Sequence, residues 1–317
     1  MRPWLWIAIV VVIGVAAIAA LGGVRQLADR LDGFRWSAFA AALGLASANY
    51  AIRFARWELY LRRQAVRVPL GSSALVFGAG LSLSITPGKL GELVKSYLLR
   101  ALHDVPATRT APVVVAERVT DLIALVLLAI AGVAAYGIAT ALVFAAAGLV
   151  AGGLLLLAWP QPTRALIDLA THPRPMRRLR APLHDMYAGL AALCRPGPLA
   201  AATALALPAW ACECVGFAVI VHAFPGAHVD LGLAMVIYAA TTIAGALSFL
   251  PGGLGVTEGA MTMLLVHGAA RLDGSTALDA TLLTRLATLW FAVILGLVCL
   301  AVARRRVRAR GRDDLRA

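Results

Sequence analysis

The sequence predicts an all-α polytopic membrane protein, with about six full transmembrane helices plus two Pro-Gly-broken re-entrant hairpins in an inverted repeat. Three observations lead to this fold class: the apolar composition, the distribution of basic residues and a repeated Pro-Gly motif. Hydrophobic residues make up 61% of the 317 residues and charged ones 14%, whereas soluble domains contain about 45–50% and about 25%. The chain is therefore predicted to form a single integral membrane domain over residues 1–317.

The apolar residues fall into blocks long enough to cross a membrane. About 20 helical residues span a hydrocarbon core of about 30 Å, and buried strands of a soluble fold are shorter. The first block is longer than the apolar core of a cleaved signal peptide, so we interpret it as a retained anchor. The predicted full spans are 3–22, 37–53, 113–137, 139–159, 199–222 and 278–303.

Two further apolar regions, 70–99 and 231–268, are each interrupted by a Pro-Gly pair. Proline removes a backbone donor and glycine permits left-handed backbone, so we expect both helices to break there. Irregular backbone at membrane depth must be buried in protein or line a wet cavity. A helix that begins just after each break would point its N-terminal amides at an anion. The break residues are Pro87, Gly88 and Gly91 in the first region and Pro251, Gly252, Gly253 and Gly255 in the second.

The basic residues predict the topology. The net charge of +13 does not indicate a nucleic-acid partner, because the arginines lie between apolar blocks, as the positive-inside rule describes. If both broken regions return to the face they entered, most of the 29 basic residues share one face, and the two hairpins enter from opposite faces. Both termini, a segment over 53–67, a basic loop over 160–198 and a basic tail over 304–317 are then cytoplasmic. Within that loop, residues 171–198 are interpreted as an interfacial helix on anionic lipid or as a plain basic loop.

The two breaks resemble each other. "SITPGKLGE" (84–92) and "SFLPGGLGV" (248–256) share five residues at a constant offset of 164, as between Pro87 and Pro251. A spanning helix with an arginine near its start, Arg118 or Arg285, follows each break. This pattern favours internal duplication, with halves near 70–137 and 231–303, over a chance match. Interrupted helices in corresponding positions of inverted repeats are typical of transporter binding sites near the midplane.

Several charged residues are predicted to lie at membrane depth, where each costs about 2.5–3.5 kcal/mol by insertion scales. Alternatively, four of them lie near the cytoplasmic interface and snorkel, namely Lys89, Lys95, Glu117 and Arg118. Glu213, deep in the fifth span, is interpreted either as proton-linked or as neutral and hydrogen-bonded. The predicted substrate-binding residues are Lys89, Glu92, Arg118, Asp121, Glu258 and Arg285.

Neither a cofactor nor a metal site is predicted. The four cysteines lack paired zinc-ligand spacing, and the histidines are scattered near loop ends. No arrangement of nucleophile, base and orienting residue is apparent, so no catalytic residue is predicted. An enzyme remains an alternative, in which Glu117 and Asp121 bind a divalent cation.

Three motifs, "ITPGKLGELVKSYLL", "ERVTDLIAL" and "LSFLPGGLGVTEGAM", together with "RFARW" in the second span, resemble the transmembrane domain of the lysylphosphatidylglycerol synthase/flippase family. The resemblance implies a lipid-handling protein of the bacterial inner membrane. In that family this domain flips aminoacylated phosphatidylglycerol, and standalone relatives are linked to hopanoid or polyprenyl-linked lipids. Because the sequence ends with "RRRVRARGRDDLRA" and carries no aminoacyl-transferase domain, lipid synthesis is not expected.

The leading functional hypothesis is flippase-like lipid translocation with membrane lipids as partners. Lys89, Arg118 and Arg285 would hold an anionic headgroup, while Glu92, Asp121 and Glu258 would pair with them or follow the positive part of the headgroup. The alternatives are an accessory subunit working with a lipid-synthesis protein and a membrane-embedded lipid-processing enzyme.

Overall fold

The computed structural model of the protein describes residues 33–268 and 270–313. In these ranges the chain is helical and contains no strand. Short 3-10 segments cover Pro87–Leu93, Arg174–Leu179 and Pro251–Gly253, and a π-helical segment, Leu286–Trp290, joins the last two helices. The α-helices are α1 (Trp36–Arg63), α2 (Leu70–Leu81), α3 (Val94–His103), α4 (Ala107–Tyr136), α5 (Thr140–Ala158), α6 (Pro160–Ala170), α7 (Arg180–Leu193), α8 (Pro196–Val221), α9 (Leu231–Leu247), α10 (Val256–His267), α11 (Gly274–Arg285) and α12 (Phe291–Asp313).

Four helices of the described part are long and apolar enough to cross a membrane: α1, α5, α8 and the continuous helix Gly274–Arg310. They contain most of the predicted spans 37–53, 139–159, 199–222 and 278–303. The predicted span 113–137 falls almost entirely on α4, which has 30 residues. The prediction of an all-helical protein with several apolar spans is thereby confirmed. The predicted span 3–22 lies outside the described residues.

The chain breaks near both Pro-Gly pairs, as predicted. Helix α2 has 12 residues and α9 has 17. At about 1.5 Å per residue they are about 18 and 25 Å long, short of a hydrocarbon core of about 30 Å. After the first Pro-Gly the 3-10 segment continues to Leu93 before α3 begins, and after the second α10 begins at Val256.

The two breaks lie against each other in the middle of the molecule. A methyl group built on Gly252 would lie 3.0 Å from Cγ1 of Ile85, which shows how closely the two segments approach. Ile85 packs in a small apolar cluster with Trp290 and Val293. Helix α12 holds the first break tightly from the other side, because a methyl group on Gly296 would lie 2.1 Å from the backbone nitrogen of Ser82.

Helix α1 corrects the predicted end of the second span. The sequence predicts that this span stops at Arg53, but the helix continues to Arg63. Arg53 is 6% exposed and Arg56 is fully buried. The physical reason is tertiary, since both guanidinium groups lie near the carboxylate of Asp121 on α4.

The basic loop between α5 and α8 is helical in part rather than a plain loop. Pro182 falls in the first turn of α7, where proline is tolerated. Asp168 on α6 accepts hydrogen bonds from Arg180 at 2.6 Å and from His184 at 2.8 Å. These hydrogen bonds, first that of Arg180, lower the pKa of Asp168 from its usual value. Exposed apolar side chains accompany the arginines of this segment, including Leu169 and Met176.

Candidate functional site

A cavity of about 300 Å³ lies where the two breaks meet. Helices α1, α4, α8 and α9 supply its walls, the first break contributes Ser84 and Thr86, and the second contributes Gly252 and Gly253. Its other polar and aromatic lining residues are Tyr50, Arg53, Arg118, Asp121, Trp210, Glu213, Tyr238, Thr242, Phe249, Thr257, Arg285 and Thr288. The cavity therefore lies between the two breaks, where the sequence predicts a binding site, and its mostly apolar wall carries these charged and hydroxyl groups.

Three arginines lie around the carboxylate of Asp121. It accepts hydrogen bonds at Oδ1 from Arg56 Nη2 at 2.7 Å and from Trp210 Nε1 at 3.0 Å. Its Oδ2 lies 3.0 Å from Nη2 of Arg118, one helical turn away, and 3.8 Å from Nη2 of Arg53. Three arginines from two helices thus share one buried carboxylate.

Arg118 also links Asp121 to a second set of buried charged residues. The guanidinium of Arg118 lies 3.2 Å from Glu92, and Glu92 lies 3.2 Å from the ammonium of Lys95. That ammonium donates to Glu117 at 2.5 Å and lies 4.7 Å from the ring centre of Trp57. Lys95 and Glu117 are 2% and 0% exposed, so the interpretation that they snorkel at the interface is wrong. Inside the protein, their ion pair takes the place of hydration by water.

The described members of this network carry more positive than negative formal charge. Direct ion pairs connect four cations with three carboxylates, namely Arg53, Arg56, Lys95 and Arg118 with Glu92, Glu117 and Asp121. Within the described residues, the Nε atoms of Arg53, Arg56 and Arg118 have no hydrogen-bond partner. The buried Oε1 of Glu117 is likewise without one, so both donors and acceptors of this network are left over.

Arg285 lies in another part of the cavity wall and contacts the second break. Its Nε lies 2.6 Å from Glu258, and its Nη2 donates to the carbonyl of Gly252 at 2.6 Å. Glu258 also accepts the backbone N–H of Gly255 at 2.7 Å, which caps the start of α10. The acid therefore ties the arginine to the helix that follows the break.

Glu213 faces the same cavity from α8. Its carboxylate accepts a hydrogen bond at 2.5 Å from the hydroxyl of Tyr238 on α9. The residue is 7% exposed. Its partner lies on another helix, which is why no local partner is visible in the sequence.

The structure distributes the six predicted binding residues unequally. Arg118, Asp121 and Arg285 line the cavity, whereas Glu92 and Glu258 are not among its lining residues and contact the lining arginines. The predicted role of the Lys89 side chain lies outside the part that the structure describes. Sequence reasoning missed Arg53, Trp210, Tyr50 and Tyr238, although "RFARW" contains the first of these.

These features define a multi-pass helical membrane protein with a cavity between two broken helices. The chain belongs to the family described as the lysylphosphatidylglycerol synthase transmembrane region, whose sequence profile matches residues 5–296. The resemblance given by the Pro-Gly motifs is thus confirmed. The chain is also similar to a UPF0104 membrane protein of Methanothermobacter thermautotrophicus. The two are 24% identical over an alignment of length 323, which covers 92% of this chain and 94% of that protein.

Proposed function

We propose that the protein translocates lipids with an anionic, phosphate-bearing headgroup across the bacterial inner membrane. The observation that carries this proposal is the composition of the cavity wall, where three guanidinium groups face two carboxylates. The cations are Arg53, Arg118 and Arg285, and the acids are Asp121 and Glu213. Guanidinium groups form charge-assisted hydrogen bonds with phosphate oxygens, so these arginines would stabilise an anion that enters the cavity.

Arg53 is the group best placed to receive that anion. Its ion pair with Asp121 is long, at 3.8 Å, and its side chain is 7% exposed. Asp121 is contacted more closely by Arg56 and Arg118, so Arg53 can turn to a ligand while Asp121 keeps two short contacts. Arginine donors match phosphate oxygens in geometry as well as charge.

The proposed architecture has six full spans and two re-entrant hairpins, with both termini cytoplasmic. Three features support it: the short helices α2 and α9, the contact between the two breaks, and a shared pairing pattern. In each half an arginine reaches back to a glutamate that follows the break, Arg118 to Glu92 and Arg285 to Glu258. The halves are thus similar in design, and we interpret them as an inverted repeat.

A headgroup would enter between the two breaks while its acyl chains stay in the bilayer. The arginines replace the water that the phosphate loses, which lowers the barrier for the polar part of the lipid. Glu92 and Glu258 act behind this surface, since they contact the arginines rather than line the cavity. This arrangement favours transport over the enzyme alternative, because Glu117 and Asp121 contact cations instead of forming a joint cation site.

The test is headgroup transport by purified protein in liposomes of phosphatidylcholine with a trace of fluorescent phosphatidylglycerol. We expect Arg53→Gln and Arg118→Gln each to slow transport about tenfold, because a charge-assisted hydrogen bond contributes about 1.5–3 kcal/mol. Arg180→Gln is the matched control, since Arg180 lies on the surface at 57% side-chain exposure and should transport normally. Full activity of both cavity variants, at equal protein incorporation, would contradict the proposed site.

A further inference from the structure

The exposed part of the cavity wall is confined to one apolar segment. Among the lining residues, the exposed ones are Ala246, Leu247, Phe249 and Leu250. Phe249 is 68% exposed, Leu250 45% and Leu247 37%. A mouth that opened to water would leave four neighbouring apolar side chains hydrated, so this rim is suited to hydrocarbon.

The backbone of this segment is held in an unusual conformation. Phe249 has φ of 54°, in the left-handed region that bulky residues rarely adopt. The Ser248 side chain fixes the turn, because its Oγ donates to the carbonyl of Gly245 at 2.8 Å and accepts the N–H of Leu250 at 3.2 Å. The fold therefore accepts local strain at a position whose side chain points away from the core.

The corresponding residue of the first half shows the opposite behaviour. Ile85 stands 164 residues before Phe249, at the offset that relates the two Pro-Gly motifs. It is 7% exposed and packs against Trp290 and Val293. At this position the first half thus carries a buried side chain, whereas the second half carries an exposed one.

We propose that the rim formed by residues 246–250 is a lateral portal, through which the acyl chains of the bound lipid pass from the cavity into the bilayer. This inference rests on the proposed translocation function. The portal fits one occupant, because it continues inward to the arginines that would hold the headgroup and outward to an apolar surface. Helix α9, about 25 Å long, ends at Leu247, which places the portal at hydrocarbon depth if α9 starts at the membrane surface.

The experiment places a photoreactive side chain at the rim, as Phe249→p-benzoylphenylalanine, in proteoliposomes that contain radiolabelled phosphatidylglycerol. The matched control is the same substitution at Phe144, which is 63% exposed on α5, a helix with little buried surface. Bulk lipid reaches both positions, so the informative quantity is the dependence of labelling on the cavity arginines. We expect Arg53→Gln combined with Arg118→Gln to reduce labelling at position 249 at least fivefold and to leave labelling at position 144 unchanged.

Vesicles of the same lipid composition, made with protein that lacks the photoreactive group, report transport. This measurement separates the portal from the proposed translocation function. If the arginine variants lose transport but labelling at position 249 persists, the portal is refuted and the proposed function stands. If position 249 labels a second copy of the protein instead of lipid, the rim is an interface between copies and the portal is likewise refuted. If the unmodified protein transports no labelled lipid at all, the proposed function fails and the portal fails with it.

Discussion

The two halves of the molecule break at similar Pro-Gly pairs but surround the breaks with different side chains. In the first half the residues after the break are buried in a network that includes Glu92, Lys95 and Glu117. In the second half a single pair, Arg285 with Glu258, stabilises the break at 12% and 16% side-chain exposure. The first half thus supplies most of the buried charge, and the second half supplies the exposed rim of the cavity. Two segments broken at similar Pro-Gly pairs can therefore carry side chains with different surroundings.

Removal of the carboxylate at the centre of the network is expected to have the largest effect. Asp121→Ala leaves Arg56 and Arg118 without their shared acid, and breaking a buried ion pair costs about 3–5 kcal/mol. We expect a large fall in the melting temperature of the detergent-purified protein. Asp121→Asn should lose less, because the amide oxygen still accepts the Trp210 hydrogen bond. Equal melting temperatures for wild type and Asp121→Ala would show that the network does not stabilise the first half.

The matching change in the second half should be smaller. Glu258→Ala removes the contact with Arg285 and the cap at Gly255, and hydrogen bonds to charged groups contribute about 1.5–3 kcal/mol. The partly exposed Arg285 can regain water, unlike the buried Arg56. We therefore expect a decrease in melting temperature less than that of Asp121→Ala, measured in the same assay. A larger decrease for Glu258→Ala would reverse the comparison between the halves.

Substitution of two corresponding glycines, Gly91 and Gly255, also tests the difference between the halves. A methyl group on Gly91 would lie 2.6 Å from Cβ of Leu83 and 2.7 Å from Thr86, whereas one on Gly255 meets nothing within 4 Å but sits at φ of +83°. Gly91→Ala should destabilise by overpacking, by about 1–3 kcal/mol. Gly255→Ala should destabilise through its left-handed backbone, by about 1–2 kcal/mol.

Asparagine distinguishes the two causes, because its larger side chain increases overpacking, whereas the strain of a positive φ comes with any Cβ. We expect Gly255→Asn to be about as destabilising as Gly255→Ala, and Gly91→Asn to be worse than Gly91→Ala, in thermal unfolding of purified protein. The same order of stability at both positions would show that one cause acts in both halves.

The sequence was sufficient to predict the helical class, the breaks and three of the cavity residues, because each leaves a local signal. Long apolar blocks predict spans, Pro-Gly pairs predict breaks, and charges beside a break indicate a polar site. It was not sufficient for Arg53 and Arg56, which look like the end of a span until Asp121, 65 residues after Arg56, is found beside them. The pairing of Glu213 with Tyr238 was hidden for the same reason. Contacts between helices decide whether a charge is interfacial or buried, and one helix alone does not contain that information.

The proposed transport depends on selection of an anionic headgroup by the arginines of the cavity. Transport of fluorescent phosphatidylglycerol is therefore compared with that of an uncharged fluorescent glucosylceramide, in one preparation of proteoliposomes. We expect the wild type to move the anionic lipid about tenfold faster, equivalent to about 1.4 kcal/mol, and Arg53→Gln combined with Arg118→Gln to abolish this preference. Equal rates for the two lipids in the wild type, or a preference that survives in the double variant, would contradict this selection.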